Sequence, residues 1–296
     1  MEANFEMKLN SIFSKFSLLP EIKAGKAILS EEEITFLVNT SKEIFLSQPT
    51  LLKLKSPYTV CGDIRGDFES LKKIFEKSGE PQKKNYIFLG NYINRGSNSI
   101  ETLCLLLAYK IKFKDTFYML RGHYDEITLS KSYGFYEECL KKYNENIFNL
   151  ITDLLNALPL AATIDEKIFL IHGGLSPELK TLDQIEKIQR PVEIPKTGLI
   201  CDLIWSDPSN DLKEKDWEEN SRGAGKLFGK KPLLEFLEKN NLKMLCRGHS
   251  VVKEGYEYLW DNKVLTIFST DKFCDDTKGA FMEVNNELKF EFKTLE

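Results

Sequence analysis

The feature that most constrains this chain is a repeated unit: a short apolar run, a glycine at its end, then a helical pattern. It occurs at Tyr58-Thr59-Val60-Cys61 before Gly62, at Tyr86-Ile87-Phe88-Leu89 before Gly90, and at Phe117-Tyr118-Met119-Leu120 before Arg121-Gly122. Helices are expected after the first two, over Phe68 to Phe75 and Ser99 to Ile111. Strand–glycine–helix repetition points to an α/β fold, whose chemistry sits in loops at strand C-terminal ends.

The flanking segments differ. Phe5 to Phe16 carries apolar residues at helical spacing, and Ser30 followed by Glu33 reads as a capping box before Ile34-Thr35-Phe36-Leu37. Helices continue from Tyr133 to about residue 157, and a strand is expected over Lys167 to Ile171. A polar, proline-containing stretch runs from Ser176 to Pro208. Strands then dominate, at Lys243 to Cys246, Tyr256 to Trp260, Val264 to Phe268, Gly279 to Val284 and Leu288 to Phe292. Asp261-Asn262-Lys263 and Asn285-Asn286 are turn signals between them. One domain over 1–296 is expected, with a helical N-terminal segment over about 1–50 and mainly antiparallel strands over about 243–292.

Composition narrows the function. A net charge of −4 gives no electrostatic case for nucleic acid. No apolar run approaches the roughly 20 residues that span a bilayer, and Met1-Glu2-Ala3-Asn4-Phe5 lacks a secretion signal. The six cysteines form no C-x-x-C pair, so free, buried thiols in a reducing compartment are expected. An intracellular protein of cytoplasm or nucleus is therefore expected, with no membrane and no nucleic acid as partner.

Five loops at strand ends concentrate the chemistry. They are Gly62-Asp63-Ile64-Arg65-Gly66, Gly90-Asn91-Tyr92-Ile93-Asn94-Arg95-Gly96, Arg121-Gly122-His123-Tyr124-Asp125-Glu126, His172-Gly173-Gly174 and Arg247-Gly248-His249. All three histidines of the chain lie in them. In order and spacing these loops resemble the GDxHG, GDxVDRG, GNHE, HGG and RxH patterns of the metal-dependent serine/threonine protein phosphatases. Ser41 to Pro49, Tyr133-Gly134-Phe135-Tyr136, Leu175-Ser176-Pro177-Glu178-Leu179, Trp205-Ser206-Asp207-Pro208 and Val251 to Tyr256 resemble the type-1 branch of that family. The resemblance extends from about Ile12 to Leu295. It implies the metallophosphatase fold, a central β-sandwich flanked by helices on both sides, and a two-metal phosphatase.

Against that pattern the site is degenerate. Asp63 keeps its place, but the GDxHG histidine is Arg65, which cannot lose its proton to ligate a metal. The bridging aspartate is Asn91, and the GNHE asparagine is His123. The general acid is replaced by Tyr124, a phenol and hence a far weaker acid than an imidazolium. The aspartate that orients the general acid is Asn94, and Phe273 replaces a phosphate-facing tyrosine. The resemblance leaves a partial metal set of Asp63, Asn91, His123, His172 and His249, and phosphate-binding candidates Arg95 and Arg222, with Arg65 as a third. Three imidazoles with an open position suit zinc. The expected complement is therefore none or one divalent ion, zinc or manganese, rather than a two-metal centre. Hydrogen-bonded relic histidines are the other reading of the cluster.

A second surface follows from the same resemblance. Type-1 phosphatases seat a Val and a Phe of short regulatory-subunit motifs in an apolar groove, and Ile168, Met244, Tyr258, Leu265, Leu288 and Phe292 match it. If that groove is exposed, an edge strand with apolar pockets suits peptide addition; ordinary edge-strand core is the other reading of these residues. Asp165 and Glu166 match an acidic pair used by another docking motif. The expected function is a pseudophosphatase, which scaffolds proteins carrying such motifs or competes for phosphatase regulatory subunits. The alternatives are an active or weakly active phosphatase and a phosphoresidue reader that does not hydrolyse.

Overall fold

The computed structural model describes residues 2–17, 26–212, 215–274 and 276–296, so residue 1 and residues 18–25 of the expected helical segment lie outside the described part. Helix α1 spans Glu2–Ser17 and α2 spans Glu31–Ser47. The start of α2 is the capping box read from sequence. The Glu33 N–H donates to Ser30 Oγ at 3.2 Å, and the Ser30 N–H donates to Glu33 Oε2 at 2.7 Å. Lys15 also donates to Glu33 Oε2 at 2.7 Å, tying α1 to α2.

The remaining helices are α3 (Phe68–Ser78), α4 (Ser99–Lys112), α5 (Ile127–Ser132), α6 (Phe135–Lys142), α7 (Glu145–Leu155), α8 (Asp183–Glu186), α9 (Leu199–Trp205) and α10 (Lys230–Lys239). The first strands are β1 (Leu51–Leu54), β2 (Tyr58–Cys61), β3 (Tyr86–Phe88), β4 (Phe117–Met119), β5 (Ala161–Ile164), β6 (Ile168–Ile171) and β7 (Asp207–Pro208). Then come β8 (Trp217–Glu219), β9 (Lys226–Phe228), β10 (Met244–Arg247), β11 (Tyr256–Leu259), β12 (Val264–Ile267), β13 (Ala280–Val284) and β14 (Phe290–Thr294).

Two mixed sheets dominate. One has five strands in the order β14-β13-β2-β3-β4, the other six in the order β1-β5-β6-β10-β12-β11. Strands β7, β9 and β8 form a small third sheet. The sheets face each other across a shared core. Along β2, β3, β6 and β10 the side chains alternate between layers, as a period of two requires. Val60, Ile87, Leu170 and Cys246 point into the core between the sheets. Cys61 and Phe88 pack outward with Leu37, Leu103 and Phe148 of the helices, while Phe169 and Leu245 pack with Leu203 and Phe236 on the opposite side. The molecule is thus an α/β sandwich with helices on both faces, as expected.

Among the C-terminal strands, β10 is the one without an antiparallel partner. Strand β10 pairs parallel to both β6 and β12, whereas β11 with β12, β13 with β14 and β13 with β2 pair antiparallel. The reason is burial on both faces. All four residues of β10 and of β12 are buried, which is the habit of parallel strands covered on both sides. The late strands are also divided. β10 to β12 join the six-stranded sheet, whereas β13 and β14 complete the five-stranded one. Five cysteines are buried and unpaired, as expected, but Cys274 is exposed. No described helix is long and apolar enough to cross a membrane.

Candidate functional site

The five glycine loops follow β2, β3, β4, β6 and β10, and they meet at one end of the sandwich. Glycine makes the meeting of the β3 and β4 loops possible. A Cβ on Gly122 would stand 2.4 Å from Asn91 N, so no larger residue fits without displacing that backbone.

Asp63 lies at the centre and is fully buried. Its Oδ2 accepts from Arg65 Nε at 2.9 Å and from Asn91 Nδ2 at 2.6 Å, with Arg65 Nη2 at 2.8 Å. Its Oδ1 accepts the His249 N–H at 2.9 Å. Burial alone would raise its pKa, yet the carboxyl is held below the usual range, chiefly by the Arg65 charge. Arg65 itself is buried among three aromatic rings, its guanidinium carbon 4.7 Å from Phe273, 5.1 Å from Phe268 and 5.2 Å from Tyr124.

The three histidines form a compact cluster. His123 Nδ1 lies 2.9 Å from His172 Nε2 and 2.8 Å from His249 Nδ1. His172 Nδ1 is 2.9 Å from the Leu89 carbonyl, which places its proton there and leaves Nε2 as a lone pair. Burial pushes all three basicities down: His123 well below its ordinary value, His172 to about 3 and His249 to about 4. The rings are therefore neutral at pH 7.

Asn91 reaches the cluster through its amide nitrogen, 3.2 Å from His123 Nδ1, because its Oδ1 accepts the Tyr124 N–H at 2.8 Å. An amide nitrogen has no lone pair for a metal, and both Asp63 oxygens are engaged. The structure thus brings all five metal candidates together, while only the histidines present free ligand atoms.

The phosphate candidates separate. Arg65 and Arg95 line one open cleft with Ser97, Lys272 and Phe273; Arg222 does not line it. Arg95 stacks 4.4 Å over Tyr133 and donates to the Tyr124 hydroxyl from Nε at 3.3 Å and Nη2 at 3.1 Å. Arg222 is tied to Asp207 at 2.7 Å. Asn94 donates from Nδ2 to the Tyr124 carbonyl at 3.0 Å, so it braces the backbone of that loop rather than the Tyr124 side chain.

Asp207 is a site residue that residue-level reasoning missed. It accepts from Arg247 and Arg222, and stands 3.6 Å from His249 Nε2. Arg247 leads in holding its pKa far below the usual range, against burial. Trp205, whose ring lies 4.5 Å from His123, is another. The Trp205 to Pro208 run was the available signal. The six docking-groove residues gather in the core between the sheets, with Ile168, Met244 and Leu265 buried and Tyr258, Leu288 and Phe292 at its margin. Phe292 stacks on Tyr256 with centroids 4.0 Å apart.

A two-sheet sandwich whose strand-end loops carry this histidine cluster is the architecture of metallophosphatases. Residues 56–253 match the calcineurin-like phosphoesterase family, and the chain belongs to it. Residues 17–55 match the serine-threonine protein phosphatase N-terminal domain. The structure is similar to that of a protein serine/threonine phosphatase from Saccharomyces cerevisiae, itself described as similar to human phosphatase PP5. That match has a TM-score of 0.84 and 28% identity, and covers 90% of each chain. A cold-active protein-tyrosine phosphatase of a Shewanella species shares the fold, with a TM-score of 0.60, 16% identity, and 86% and 84% of the two chains covered.

The family uses divalent metal ions, and the residues present fit only part of such a centre. At Asp63 they do not fit, because a guanidinium already occupies the carboxylate. At His123, His172 and His249 three neutral imidazoles fit one ion.

Proposed function

We propose that this chain is a catalytically impaired phosphatase-like protein that works by binding other proteins, as a scaffold or as a competitor for phosphatase regulatory subunits. The observation that carries the reading is the Arg65 guanidinium seated on Asp63. Metal-assisted ester hydrolysis needs an activated water and a proton for the leaving alkoxide. An ion at the three histidines would supply Lewis acidity to one oxygen. The chain's own residues add little to that: Tyr124 offers a phenol already accepting from Arg95, and Asn94 braces backbone. Loss of a general acid alone costs about 10²–10⁴ in rate.

Aryl-phosphate and phosphopeptide assays with manganese or zinc test the impairment. The expected outcome is no turnover above a His249→Ala control; turnover that the control abolishes would establish an active phosphatase instead. The partner surface proposed is built on Ile168, Met244, Tyr258, Leu265, Leu288 and Phe292, supported by half-buried Tyr258, Leu288 and Phe292 packed at the margin of the core over buried Ile168, Met244 and Leu265. Peptides of the Val-x-Phe type are expected to bind, and Phe292→Ala to weaken that binding at least roughly tenfold, the scale of one anchor side chain. Unchanged affinity would remove the groove from the reading.

One observation favours a second reading. Among the described residues Arg95 has no carboxylate partner, and Tyr133 and Tyr124 hold its guanidinium at the cleft. A cation so placed suits a phosphoresidue bound without cleavage. Titration with a phosphopeptide and its unphosphorylated twin decides this, equal affinities ending it.

A further inference from the structure

His123 Nδ1 has three nitrogen neighbours: His249 Nδ1 at 2.8 Å, His172 Nε2 at 2.9 Å and Asn91 Nδ2 at 3.2 Å. An imidazole nitrogen carries one proton or one lone pair, so it satisfies one of these contacts. His172 Nε2 is a lone pair, since its other nitrogen faces the Leu89 carbonyl. His249 Nε2, fully buried, has no hydrogen-bond partner. Left to itself, the cluster is an over-subscribed hydrogen-bond network in a dry interior, where each unmet contact is costly.

A cation removes the conflict, because three converging lone pairs then share one acceptor. The donors are all nitrogen, and the nearby carboxylates are committed. Asp63 is held by Arg65, Asn91 and the His249 N–H, and Asp207 by Arg247 and Arg222. Imidazole-only sites favour zinc-class ions over manganese and magnesium, which prefer oxygen.

We propose that His123, His172 and His249 hold a single zinc-class ion, and that the Arg65 guanidinium is a covalently attached substitute for a second. His123 follows β4 of the five-stranded sheet, whereas His172 and His249 follow β6 and β10 of the six-stranded sheet. The ion therefore clips the two sheets together, and its binding stabilises the fold whether or not phosphate is turned over.

The test uses the full chain, stripped of metal and titrated with zinc, manganese or magnesium salts, with bound metal counted by mass spectrometry and unfolding temperature recorded. One zinc per chain and a raised unfolding temperature are expected, with zinc at least roughly tenfold tighter than manganese. His123→Asn keeps a polar side chain of similar size. It should leave metal-free stability close to wild type and weaken zinc by more than the roughly 10–100-fold typical of losing a supporting partner. Arg65→His with Asn91→Asp should raise the count from one to two. Two ions on the wild-type chain, none at all, or zinc affinity unchanged in both His123→Asn and His249→Ala would overturn the proposal. None of these readouts depends on turnover, so a silent enzyme and an empty site are told apart.

Discussion

At Arg65 a single side chain sets both the charge and the stability of the site. It satisfies a carboxylate with no solvent exposure, and three aromatic rings enclose its guanidinium. Removing one member of a buried pair strands the other. Arg65→Met is therefore expected to cost about 3 kcal/mol or more in denaturant unfolding. Arg65→Met combined with Asp63→Asn should recover much of that, and equal losses for the single and double variants would contradict the account. A second buried cation works differently. Lys110 donates to the Lys114 and Phe117 carbonyls, and burial pulls its pKa down to about 7. Between pH 7 and 10.5 the unfolded chain holds a proton that the native chain lacks, so this lysine's contribution to stability rises with pH. Lys110→Met should compare most favourably with wild type at or below pH 7 and lose that advantage toward pH 10. A stability difference that is flat across this range would show that Lys110 does not titrate there.

At the scale of elements, the start of α2 makes the most direct test. Ser30→Ala removes the side-chain acceptor of the capping box and should lower stability by about 1 kcal/mol, measured by thermal unfolding. No change would mean that packing alone fixes the helix start. The same box was readable in the residues, as were β2, β3 and β4, because each is a short apolar run closed by glycine. Strands β1 and β5 were not. Ala161-Ala162-Thr163-Ile164 is buried throughout and shows no polar alternation, and its pairing with β1 joins residues more than a hundred positions apart. The direction of β10 and β12 was hidden for a related reason. The turn signals around Asp261 report the local β11–β12 hairpin and say nothing of the parallel neighbour.

For the whole molecule, the order of five glycine loops was enough to place the site, and the fold does bring them together. What the loops could not show was orientation: which end of the Asn91 amide faces the histidines, and that Asp207 gathers Arg222 and Arg247. Such features depend on partners distant in the chain. The departures from the family pattern are likewise spread over separate loops, so their reversal should be strongly non-additive. Arg65→His, Asn91→Asp, Asn94→Asp, His123→Asn and Tyr124→His are each expected to give no aryl-phosphate turnover alone and measurable turnover together with manganese. Turnover from any single reversion would show that the wild-type site retains most of its machinery.

Strand β13 reaches back to pair with β2, and the Asp63 backbone bridges to Phe268. During synthesis, then, Asp63, Arg65 and the first strands of their sheet emerge long before the residues that cover them. For most of translation the open edge of β2 and the Asp63–Arg65 pair lie bare. The site closes only once Phe268 and strand β13 have been made, so its burial is a late step in the folding of these two sheets.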